Sequence, residues 1–144
     1  MNATRLTSRF LYFLAVLQIL TAGIVIVPLA WLDGWHVWLG LGAMPQDAVL
    51  RYVLRAAGYV QGGIGVLLWI MATDVVRYRP LIVAVGAIYL IGSPVFYFIE
   101  TQAQMPFFWI MLDCVSTFVV GAGLLVLCRR SPTAVRVASG ANSP

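Results

Sequence analysis

Four apolar runs, at about 10–32, 52–73, 81–99 and 107–128, dominate the chain, each close to twenty residues long and almost free of charge. A helix rising 1.5 Å per residue needs about 20 such residues to cross a hydrocarbon core roughly 30 Å thick. Within lipid a helix satisfies its own backbone N–H and C=O groups, which an isolated strand cannot do. The runs therefore predict an all-α fold, an integral membrane four-helix bundle over residues 1–130, with 131–144 as a flexible polar tail. Composition agrees: 62% of the residues are apolar and 10% charged, against about a quarter charged in soluble domains.

The first run follows Arg5 and Arg9 and so resembles a secretory signal. It is longer than the roughly 7–15 apolar residues of a signal core, and Pro28-Leu29-Ala30-Trp31 is a poor cleavage site, so it reads as a retained helix. Pro45, Pro80 and Pro106 stand near the starts of the other three helices, where a missing N–H costs little. Pro94 falls inside the third and should kink it near Gly92-Ser93.

All nine basic residues are arginines, and they sit in small groups beside the apolar runs rather than in one patch. That pattern sets topology and excludes a nucleic-acid surface. Arg5, Arg9, Arg77, Arg79, Arg129, Arg130 and Arg136 fall on one side, and Arg51 and Arg55 on the other. Both termini are therefore expected on the cytoplasmic side of the membrane. Trp31, Trp35, Trp38 and Trp109 then gather at the outer interface, where indole rings are enriched. Residues 33–50 read as an interfacial loop. Met44-Pro45 and Met105-Pro106 form a faint internal echo.

No metal, cofactor or catalytic site is expected. Zinc spacing, a phosphate loop and a nucleophile elbow are all missing from the sequence. One histidine, His36, excludes a bis-histidine haem. Cys114 and Cys128, fourteen residues apart on one helix, lie about 21 Å from each other and cannot pair. Gly58-x-x-x-Gly62 and Gly121 read as close helix contacts, and Gln18 and Gln61 as candidates for an interhelical amide bond.

The chemistry left over is a set of charges inside the apolar runs: Arg55, Glu100 and Asp113. An ionisable group at mid-bilayer costs about 2.5–3.5 kcal/mol on insertion scales, so it usually faces a partner or a cavity. Residues three, four and seven apart share a helical face. Gly86, Tyr89, Ser93, Tyr97 and Glu100 form one such stripe, Arg51, Arg55, Gly58, Tyr59 and Gly62 a second, and Asp113, Ser116, Thr117 and Gly121 a third. Three polar or small stripes predict a shared outward-opening pocket with Arg55, Tyr59, Tyr97, Glu100 and Asp113 as its binding residues. A buried ion pair that only fixes helix register is the structural alternative.

Arg55-Ala56-Ala57-Gly58 opening the second helix, the Asp74–Pro80 turn, and Met105-Pro106 leading to Asp113 resemble the small BphX-like and DoxX-like bacterial membrane families. The resemblance implies a compact four-helix membrane protein, in some cases encoded near aromatic-degradation or redox genes. It carries over no catalytic residue. Two functions follow as expectations. One is non-enzymatic binding of a small lipophilic molecule or membrane partner subunit through the pocket, with a homo-oligomer as one form of partner. The other is a membrane oxidoreductase component handling a quinone or protons. A transporter fits less well, since four helices leave little room for alternating access.

Overall fold

The computed structural model describes residues 3–45 and 47–130, so the expected flexible tail lies outside the described residues. Among them the chain is all-helical: α1 (Ala3–Thr21), a 3-10 turn (Ala22–Val25), α2 (Leu29–Trp38), α3 (Ala48–Thr73), α4 (Arg79–Gln102) and α5 (Phe107–Arg130). Four segments, Ala3–Val25, α3, α4 and α5, are long and apolar enough to cross a membrane.

The first span departs from expectation. Rather than one helix over 10–32, α1 begins at Ala3, ends at Thr21 and tightens into the 3-10 turn, and a separate helix starts at Leu29. Pro28 supplies the break, because it lacks an N–H and disfavours helical backbone at Val27 before it. Residues 29–32, assigned from sequence to the first helix, and 33–38, assigned to a loop, together form α2. It ends in a Schellman motif: Gly40 N–H donates to Val37 O at 3.0 Å and Leu41 N–H to His36 O at 3.1 Å, with Gly40 at φ 76°.

The described residues group into two units, those within 11–70 and those within 3–10 and 71–130. In the 11–70 unit, Gly62 and Gly65 let α3 approach the first span. A Cβ at Gly65 would stand 2.8 Å from both Ala15 O and Ile19 N, and one at Gly62 2.7 Å from the Ala22 methyl. Tyr12 meets Trp69 edge-on at 4.9 Å. The connection after α2 is tied down by two side chains. Asp33 Oδ1 accepts from Met44 N–H at 2.7 Å, and His36 Nδ1 donates to Gly42 O at 2.7 Å. Asp47 Oδ1 accepts from Val49 and Leu50 N–H at 2.7 and 3.1 Å and so caps the start of α3.

In the other unit, α4 and α5 form an antiparallel hairpin. Gly121 is buried against α4, where an added Cβ would lie 2.6 Å from Leu90 N and 2.8 Å from Gly86 O. Gly86 in turn faces Leu124 and Leu125, and Gly92 faces Thr117. Helix α4 stays helical through Pro94, and Pro80 stands in its first turn. At the start of this unit, Ser8 Oγ donates to Ala72 O at 2.7 Å.

Helix α4 closes with the same motif as α2. Gln104 N–H donates to Thr101 O at 3.1 Å and Met105 N–H to Glu100 O at 3.0 Å. The left-handed position here is held by Gln104, at φ 54°, the sole non-glycine residue with positive φ among those described. A left-handed conformation costs an L-residue about 1–2 kcal/mol. Gln104→Gly is therefore expected to stabilise the protein by about 1 kcal/mol, read from the unfolding midpoint in mixed micelles. Destabilisation by that substitution would show that the Gln104 side chain holds the turn.

Candidate functional site

Of the five residues expected to share a pocket, Arg55 and Tyr59 belong to the 11–70 unit, and Tyr97, Glu100 and Asp113 to the other. Tyr59 and Tyr97 are 75% and 52% exposed. Within the hairpin the structure brings Glu100 and Asp113 together, and it does so through local geometry. Asp113 lies in the second turn of α5, Glu100 in the last turns of α4, and the four-residue Ala103–Pro106 connection sets the two ends side by side.

The two carboxyl groups lie within hydrogen-bonding reach of each other. Glu100 is only 8% exposed, and its Oε2 is buried with no hydrogen-bond partner. Asp113 is half-buried. A hydrogen bond between two carboxyl groups needs an O–H on one of them. Two bare carboxylates at such a distance repel, as in other carboxyl dyads. No His, Cys, Asp and Glu group suited to a metal ion occurs among the described residues.

Below the pair runs a second polar contact that the sequence did not reveal. Ser93 Oγ donates to Cys114 O at 2.9 Å, and Cys114 Sγ donates to Ser93 O at 3.4 Å, a reciprocal clamp between α4 and α5. Sequence reasoning placed Ser93 on the right stripe but weighed Cys114 only as a disulfide partner. Its spacing, one residue after Asp113 and three before Thr117, was the available signal. Buried Thr117 continues the same face, whereas Ser116 turns outward and bonds its own helix at Asp113 O, 3.1 Å.

At the hairpin's other end Arg79 plays a part that charge counting missed. Its Nε and Nη2 both donate to Cys128 O at 3.2 Å, covering a carbonyl in the last turn of α5. The hairpin is thus held at both ends and along its middle, with the carboxyl pair beside the Met105-Pro106 turn.

In the 11–70 unit Arg55 lines an open cleft of about 330 Å³ with Leu29, Ala48, Arg51 and Tyr52. Comparison with protein-family models, with curated proteins and with solved structures gives no match for this chain.

Proposed function

We propose that the protein is a four-span membrane component that holds a proton between Glu100 and Asp113 and exchanges it with a membrane partner, with both termini on the cytoplasmic side of a bacterial inner membrane. The observation that carries this reading is a buried glutamate, inside a helix apolar enough to span a bilayer, with one oxygen unpartnered and the other side of the carboxyl facing an aspartate. Ionisable groups in such helices are retained for ion or proton traffic more often than by chance. Half-buried Asp113 is the member through which the proton enters and leaves, and Glu100 the member that stores it. An oxidoreductase that takes up or releases protons fits as the partner, in keeping with the resemblance to the DoxX-like and BphX-like families.

Lipid explains the surface of the helices. Between 11% and 28% of each span's apolar window is buried within the chain, so most of that surface needs an apolar solvent.

Acid–base titration of the purified protein in mixed micelles is expected to release one proton per chain that the Glu100→Gln/Asp113→Asn double variant does not release. Identical titration curves for wild type and double variant would remove the basis of the reading.

A second reading is a site for a small lipophilic molecule or partner subunit in the 11–70 unit, with Arg55 and Tyr59 as contacts. What favours it is the open cleft beside Arg55 and the exposure of Tyr59. A small molecule retained by gently solubilised protein, with no difference in titration between wild type and double variant, would place this reading first.

A further inference from the structure

Two arginines line the cleft at the head of α3. Arg51 and Arg55 are one helical turn apart and share a wall with Leu29, Ala48 and Tyr52. Among the described residues of this unit neither arginine has a carboxylate partner, because both nearby acids are engaged elsewhere. Asp47 receives the first-turn N–H groups of α3, and Asp33 receives Met44 N–H. The helix terminus is thus already satisfied, and the positive charge of the cleft comes from the side chains alone.

The remaining walls are apolar or amphipathic. Leu29 opens α2 and Ala48 opens α3, while the Tyr52 ring is 72% exposed beside the arginines. Helix α2 carries Trp31, Trp35 and Trp38, all exposed, and the imidazole of His36 is committed to its own loop at Gly42 O. A helix bearing three exposed indoles marks the level of a membrane interface. The cleft, lined by the first residue of that helix, lies at the same end of α3.

We infer that this cleft is a binding site for the phosphate of an anionic phospholipid, with Arg51 and Arg55 on the phosphoryl oxygens and the glycerol and first acyl carbons against Leu29, Ala48 and Tyr52. The planar guanidinium fork suits a phosphate with several oxygens. The occupant is assigned to the bilayer rather than to free phosphate because the cleft joins charge to apolar walls at interfacial depth. The assignment does not depend on the proton reading.

The test is native mass spectrometry of the full chain released from nanodiscs of phosphatidylglycerol mixed with phosphatidylcholine. Wild type is expected to retain phosphatidylglycerol in preference to phosphatidylcholine. Each of Arg51→Gln and Arg55→Gln should weaken that retention about fivefold, with the double variant losing it. Arg55→Lys, which keeps the charge without the fork, should fall between wild type and Arg55→Gln, and Arg77→Gln should match wild type. Circular dichroism and monodispersity qualify each variant as folded, and should the double variant fail to fold, the Arg55→Lys comparison decides. Equal retention of the two lipids, unchanged retention in both glutamine variants, or an equal loss in Arg77→Gln would overturn the assignment. Displacement of the lipid by millimolar inorganic phosphate, with the same dependence on Arg51 and Arg55, would overturn the lipid assignment in favour of a soluble phosphate ligand.

Discussion

Gly121→Ala is expected to cost about 3 kcal/mol of stability, the upper part of the range for overpacking a tight contact. The added methyl would lie 2.6 Å from Leu90 N, 2.8 Å from Gly86 O and 3.0 Å from Leu90 Cα. All three are backbone atoms of α4, so no rotamer change makes room and the hairpin must open. Opening it would also stretch the Ser93–Cys114 clamp and move Glu100 away from Asp113. Gly63→Ala provides the contrast. Its Cβ would meet nothing within 4 Å, so the change should be neutral or stabilise by up to about 1 kcal/mol through helix propensity. Reversible unfolding in mixed micelles measures both. A Gly121→Ala protein as stable as wild type would mean that α4 and α5 are not in backbone contact.

Replacing Asp113 separates shape from chemistry. Asp113→Leu removes the aspartate facing the buried Glu100 carboxyl, whose Oε2 already lacks a hydrogen-bond partner, a loss of about 1–3 kcal/mol for a neutral group and more for a charged one. Asp113→Asn is nearly isosteric, and its amide can still bond Glu100. It should therefore keep most of the stability while removing one of the two groups proposed to share the proton. A pair that served only to fix helix register would show the stability loss in Asp113→Leu and no change in proton binding for Asp113→Asn. A proton site shows both effects, and the asparagine variant is the one that separates them.

The sequence was most legible where punctuation and periodicity coincide. Helices α3, α4 and α5 lie within a few residues of the expected bounds because Pro45, Pro80 and Pro106 mark their approaches and arginines or a Met-Pro turn mark their ends. The first span was misjudged because the β-branched run Ile24–Val27 is as apolar as a helix interior. Hydropathy alone does not register the break that Pro28 imposes. Glu100 and Asp113 were visible as members of polar stripes, since a three- and four-residue period assigns a face. A period does not say which helix that face meets, so the shared pocket expected for Arg55, Tyr59 and the carboxyl groups went beyond what periodicity alone carries. Arg79 was read as a topology marker because charge counting treats every arginine alike. Its bonds to Cys128 O depend on where the end of α5 returns, a long-range fact with no local signature.

The proton proposed to be shared by Glu100 and Asp113 is addressed most directly by infrared spectroscopy of the reconstituted protein. Of the five acidic residues, Asp33, Asp47 and Asp74 each accept a backbone N–H in a turn or cap. Wild type should show one protonated-carboxyl C=O band that shifts in Glu100→Gln and in Asp113→Asn and vanishes in the double variant. A wild-type spectrum without that band, or a band unchanged in the double variant, would contradict the account.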